Sequence, residues 1–141
     1  MRKIDCVLLI DDNDFDNFYH SVIIEKVDDS IEVKAVTDGE MALDYLASVR
    51  EDPENYPTPD LIFLDLNMPG MNGFEFLKKA TEKKLLEVTG SLIVMLTSSQ
   101  NPQDEVVARE TFGDQIHDFR IKPLSKEMLL EIMRSNQSNG R

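Results

Sequence analysis

Cysteine is all but missing from this 141-residue chain, and the single thiol, Cys6, allows no internal disulfide. Its place inside an apolar run marks it as a buried, inert group rather than a redox centre. Long hydrophobic runs are missing too, since none approaches the roughly 20 residues of a membrane span. The start, Met1-Arg-Lys3, lacks the extended apolar core of a secretion signal. A cytoplasmic protein with no membrane partner is therefore expected. Basic residues are scarce, 15 against 27 acids, for a net charge of −12. Such a surface repels phosphate backbones, and no basic stripe or recognition-helix pattern offsets it, so nucleic acid is not expected as a direct partner. Cationic ligands and basic partner surfaces suit it better.

What is present is a set of short apolar runs, each stopping at a reactive side chain. Cys6-Val-Leu-Leu-Ile10 ends at Asp11-Asp12, Leu61-Ile-Phe-Leu64 at Asp65, Leu92-Ile-Val-Met-Leu96 at Thr97, and Asp118-Phe-Arg-Ile121 at Lys122. Unbroken Val/Ile/Leu runs are what a strand buried on both faces requires, as in a parallel sheet covered by helices on both sides. A further strand, Glu32 to Val36, carries no obvious chemistry. Parallel strands align their carboxyl ends on one edge, where open α/β sheets hold ligands. The reactive residues are expected to meet there.

The intervening segments read as helices. Asp14 to Val27 places Phe15, Phe18, Val22 and Ile23 on one face, and Ala42, Tyr45, Leu46 and Val49 form a stripe behind Asp38 as N-cap. Asn72 and Glu75 form a capping box for a helix bearing Phe74, Leu77 and Ala80. Asn101-Pro102 opens a fourth helix, and Ser125 caps a fifth with Met128, Leu129, Ile132 and Met133. Five strands thus alternate with five helices in one domain, which the length and 41% hydrophobic content suit. Residues 50–60, with three prolines, read as a loop. Residues 135–141 read as a polar, disordered tail.

Asp11, Asp12 and Asp65 put three like charges at one sheet edge, which is unfavourable unless a cation or proton offsets them. A hard, oxygen-seeking ion such as Mg²⁺ is implied. Alone, each aspartate reads as a helix cap or turn residue, Lys122 as a surface charge and Thr97 as an ordinary strand-ending hydroxyl. Together they suit phosphoryl transfer to an aspartate, in which cationic groups neutralise the phosphoryl oxygens while a carboxylate attacks in line. Asp65, the single acid ending the central run, is the natural acceptor.

At these residues the chain resembles the receiver domains of two-component response regulators. The resemblance rests on Leu9-Ile-Asp-Asp-Asn13, Leu64-Asp-Leu-Asn-Met-Pro-Gly-Met-Asn-Gly73, Leu96-Thr-Ser98 and Ile121-Lys-Pro123, and covers roughly residues 4–134. It implies a flavodoxin-like, doubly wound (βα)5 sandwich with strand order 2-1-3-4-5, and a receiver domain over residues 1–134. It further implies that Asp65 accepts phosphate from a sensor histidine kinase or phosphotransfer protein. Asp12 and Asp65 would bind Mg²⁺ directly, Asn67 through its backbone carbonyl and Asp11 mainly through water. Thr97 and Lys122 would contact the phosphoryl group, and Phe119 holds the place of the aromatic that turns inward with the threonine. Phosphorylation would then shift the fourth and fifth helices with the last strand, and an unidentified downstream protein would read that face, since no output domain is expected here.

Several positions depart from the commonest receiver pattern. Gln115-Ile116 replaces a small pair before the last strand, and Asn67 and Ser99 lie where phosphate lifetime is tuned. Pro69-Gly70 and Gly73 read as backbone support for the loop after Asp65. His20 and His117 are expected on the surface. Two other readings fit less well. Haloacid-dehalogenase-type phosphohydrolases place an acid two residues after the nucleophile, where this chain has Asn67. A calcium loop at Asp12-Asn-Asp-Phe-Asp16 wants glycine at position 17 and glutamate at 23, where Asn17 and Ile23 stand.

Overall fold

The structure is a computed structural model that describes residues 3–98 and 100–139. Strands β1 (Cys6–Ile10), β2 (Glu32–Val36), β3 (Leu61–Leu64), β4 (Leu92–Thr97) and β5 (Ile116–Ile121) form one parallel sheet in the order β2-β1-β3-β4-β5. Helices α1 (Asp14–Val27), α2 (Gly39–Glu51), α3 (Gly73–Glu82), α4 (Leu85–Thr89), α5 (Pro102–Thr111) and α6 (Lys126–Asn139) fill the crossovers and follow the last strand. Strand order and helix layers are those of the expected flavodoxin-like sandwich.

β1 and β3 are buried at every position, so their sequences are unbroken apolar runs rather than alternations. The side chains alternate between two cores. Leu8, Ile10, Ile62 and Leu64 pack with Leu46 of α2, Phe76 and Leu77 of α3 and Ala108 of α5. Val7, Leu9, Leu61 and Phe63 pack with Ile23 and Ile24 of α1 and with Leu129 and Ile132 of α6. Each fully buried Leu, Ile or Phe contributes about 1.5–3 kcal/mol relative to exposure. The caps fall where expected: Asp38, Asn72 with Glu75, and Asn101 each accept backbone N–H groups of their helix, and Ser125 Oγ accepts from Met128. Asp60 closes the loop before β3 by accepting the Asp5 and Cys6 amides at 2.8 and 3.1 Å. Cys6 is buried, and burial pushes its thiol up to about 11, so it is inert. Among the described residues no helix is long and apolar enough to cross a membrane.

Five expectations are corrected. Among the described residues, α4 makes six helices instead of five. It is a single turn bracketed by left-handed Lys84 (φ 59°) and Gly90 (φ 62°), too short to show a periodic stripe, yet it buries Leu85. α1 is rotated from its expected phase: Phe15 and Phe18 are 75% and 68% exposed, and its inward face is Asn17, His20, Ile23 and Ile24. His20 is therefore buried rather than on the surface. In α3, Phe76 is fully buried, whereas Phe74 is half-buried and stacks on Phe112 with ring centroids 5.1 Å apart. α6 runs on through Asn139 into the expected tail, because Ser135 bonds the ring of His117 at 2.9 Å and Asn136 is buried. Residues 140 and 141 of that tail, and Ser99, lie outside the described residues.

The rotation of α1 has a direct test in urea denaturation. Ile24→Ala is expected to cost about 2–5 kcal/mol, as for a buried branched side chain, and Phe18→Ser to stay within about 0.5 kcal/mol. The reverse order would put Phe18 in the core.

Candidate functional site

Register brings the reactive residues together. Ile10 and Met95 flank Leu64 in the sheet, so Asp11 and Asp65 leave their strands level with Leu96, one residue before Thr97 ends β4. The last backbone rungs belong to the site: the Asp11 N–H donates to Val36 O at 3.2 Å, that of Asp65 to Ile10 O at 2.9 Å, and that of Lys122 to Thr97 O at 2.8 Å. Thr97 is fully buried at the end of β4.

The loops after the strands aim the side chains. Asn13 caps α1 by accepting from Asp16 N–H at 3.1 Å, while its own N–H donates to Asp11 Oδ1 at 3.0 Å. The loop after β3 folds back on itself so closely that a Cβ at Gly73 would lie 2.7 Å from the Asp65 carbonyl oxygen and 3.1 Å from Leu66 Cα. Gly70, at φ +77°, makes the turn that permits this approach. The supporting role expected of both glycines is thus a matter of backbone geometry.

Lys122 reaches over the sheet edge from the end of β5. Its Nζ lies 2.6 Å from Asp11 Oδ2, 2.9 Å from Asp16 Oδ2 and 3.7 Å from Asp65 Oδ2. Burial alone would lower its pKa, but the hydrogen bonds to Asp11 and Asp16 and the attraction of Asp65 and Asp11 raise it overall, so it stays an ammonium. Burial is also the largest influence on Asp65, whose carboxyl is pushed up to about 6. Lys122 pulls against that rise, Asp11 and Asp12 add to it, and a hydrogen bond from the Asn67 N–H opposes it.

Asp11, Asp12 and Asp65 can each offer one oxygen, all within 4.8 Å of one another. Oxygens around an octahedral Mg²⁺ at about 2.1 Å lie about 3.0–4.2 Å apart, so a small contraction would seat one such ion. With Asp16 included, the crevice carries four carboxylates against one ammonium and remains anionic. An all-oxygen, anionic donor set of this kind fits Mg²⁺ rather than a soft metal.

Of the other expected residues, Asn67 is exposed on the loop after Asp65, and Phe119 lies away from the crevice in the core, paired in register with Met95. His117 is half-buried on β5. Three polar residues of α1 were not assigned to this site from the sequence: Asp16, which bonds Lys122, and the buried Asn17 and His20. Asn17, His20 and Ile24 keep helical spacing, a signal visible only if polar residues are allowed to face inward. The calcium reading fails structurally, because the helix has begun by Asp14 and Asn17 and Ile23 are buried in it.

The response regulator receiver domain profile matches residues 7–134. A two-component response regulator from Cytophaga hutchinsonii is 31% identical, with a TM-score of 0.83 over 97% of this chain and 99% of that one. Chemotaxis protein CheY4 of Vibrio cholerae is 26% identical, with a TM-score of 0.70 over 94% and 98%. The nitrate/nitrite response regulator NarL of Escherichia coli is 33% identical over 90% of this chain, which spans 52% of NarL's length. Protein PilH of Pseudomonas aeruginosa is 26% identical over 89% of this chain and 91% of its own. With strand ends, acid cluster and lysine arranged as described, the chain belongs to the response regulator receiver domain family.

Proposed function

We propose that this protein is a phosphoacceptor in a two-component relay, in which Asp65 takes a phosphoryl group from a histidine kinase or phosphotransfer protein in the cytoplasm. The observation that carries this reading is the convergence of the Asp11, Asp12 and Asp65 oxygens within 4.8 Å, with the Lys122 ammonium 3.7 Å from Asp65. Asp12, Asp65 and the Asn67 carbonyl would hold Mg²⁺, with Asp11 acting through water. Bound there, the ion supplies positive charge to the phosphoryl oxygens.

The remaining work falls to the chain's own groups. An oxygen of ionised Asp65 attacks phosphorus in line as the donor's histidine nitrogen leaves. Lys122, already seated between Asp11 and Asp65, pairs with a phosphoryl oxygen, and the Thr97 hydroxyl donates to another. Those contacts favour a minor arrangement of α5, β5 and α6, Phe119 included, which a downstream protein reads. The product is a signal held on the chain, with no turnover of external phosphoesters.

Intact mass after incubation with Mg²⁺ and acetyl phosphate should show one adduct of about 80 Da, the mass of a phosphoryl group replacing a proton. Loss of the adduct in Asp65→Asn and without Mg²⁺ is expected, and an adduct that persists in Asp65→Asn would overturn the assignment. Lys122→Met is expected to weaken binding of the acyl-phosphate mimic beryllofluoride by about tenfold or more, the scale of a lost charge-assisted hydrogen bond. Equal binding, measured by calorimetry, would remove Lys122 from the phosphoryl site.

The raised Asp65 carboxyl also makes a stability prediction for metal-free protein. A carboxyl with a folded pKa near 6 and an ordinary value of 3.8 withdraws stability as pH rises through that window. Asp65→Asn should therefore raise stability at pH 7 by on the order of 3 kcal/mol, with most of the gain gone below about pH 4. Thermal melts in EDTA at pH 7 and pH 4 check this, and equal melting points at pH 7 would refute it.

A further inference from the structure

The inward face of α1 is polar where it passes beneath the acid cluster. Asn17 is 95% buried by accessible area (5% exposed), and its Nδ2 donates to Asp11 O at 3.0 Å and to Val36 O at 3.3 Å. Both carbonyls lie where β1 and β2 end, so this one amide clasps the backbone from which Asp11 and Asp12 project. Two donations from Nδ2 fix the orientation of the amide and turn Oδ1 the other way. That oxygen is buried and has no partner among the described residues, and the same is true of Asp65 Oδ1. Asn17 and Asp65 line one cavity of about 10 Å³ together with Asp11 and buried His20, over a floor of Leu9, Phe63 and Leu96.

A cavity of this size holds about one water when it offers two to four polar partners. Water brings two donors, matching the two unpartnered acceptors, and its oxygen can accept from an N–H of His20. We propose that this cavity is a single-water site joining Asn17 Oδ1, Asp65 and His20, and that Asn17 and His20 are positioning residues for the metal and phosphoryl site above them. Asn17 seats the acid pair through Asp11 O, and the water holds the inner oxygen of Asp65. Neither residue touches the metal or the phosphoryl group. Their effect travels through the placement of Asp11, Asp12 and Asp65, as groups behind metal ligands set the affinity of the ligands themselves.

The positioning role rests on Mg²⁺ binding at the acid cluster, whereas the water site does not. A high-resolution crystal structure of the wild-type protein should show one water within hydrogen-bonding distance of Asn17 Oδ1 and the Asp65 carboxylate; an empty or apolar-filled cavity overturns the water site. By calorimetry, Asn17→Leu and His20→Leu are each expected to weaken Mg²⁺ about tenfold. His20→Gln, which keeps an N–H at that depth, should stay within about twofold, a rescue that a purely packing role would not produce. Thermal melts in EDTA provide the second readout: His20→Leu, which buries an apolar group on an apolar floor, should melt no lower than wild type while binding Mg²⁺ less well. Unchanged Mg²⁺ affinity in both leucine variants overturns the positioning role and leaves the metal reading standing. Absence of Mg²⁺ binding in the wild type overturns both.

Discussion

One ammonium among four carboxylates governs this molecule. Lys122 bonds Asp11 and Asp16 and stands 3.7 Å from Asp65. Without it, Asp11 and Asp65, both almost fully buried, would face each other with no positive charge beside them among the described residues. The arrangement is stable enough to fold and still anionic enough to attract more cations. A site whose own counter-charge falls short is suited to draw positive charge from outside, the role that Mg²⁺ would fill under the proposed function.

The rest of the fold can be understood as what it takes to hold that lysine and those acids in register. A parallel sheet buried on both faces lines up its strand ends, and crossovers deliver each reactive residue to the same edge. Gly73 lets the loop after Asp65 close against the strand it has just left. Asn17 bolts α1 to the ends of β1 and β2. These constraints are backbone ones, and they explain why small or amide side chains, rather than large apolar ones, stand at positions next to the chemistry.

Much of this was legible from residue order. Unbroken apolar runs revealed β1, β3 and β4 because strands covered on both sides have no polar face to interrupt the pattern. The acids and Thr97 were visible because they end such runs, and Lys122 because it stands between Ile121 and Pro123 at the end of a strand. The phase of α1 was not. Phe15, Phe18, Val22 and Ile23 make a good apolar stripe, and burial alone would have chosen it. Hydrogen bonds from Asn17 and the ion pair of Asp16 turned the helix instead, at the expense of leaving two phenylalanine rings in water. A periodicity count treats asparagine and histidine as outward-facing and so cannot register an anchor made of them. α4 escaped for a simpler reason, since one turn carries no period.

The unequal seating of the helices has a mechanical meaning. α2 buries Ala42, Leu43, Leu46 and Val49, and α3 buries Phe76, Leu77 and Ala80, whereas α5 buries Ala108 alone among its residues. Burial scales with the free energy needed to lift an element from the sheet. The helix beside β4 and β5 is therefore held by one fully buried methyl group plus partial contacts, less burial than α2 or α3 has. Under the proposed switch, a modest difference in contact energy at the strand ends would be felt first in this lightly seated helix, while the well-seated helices keep the charge cluster in shape.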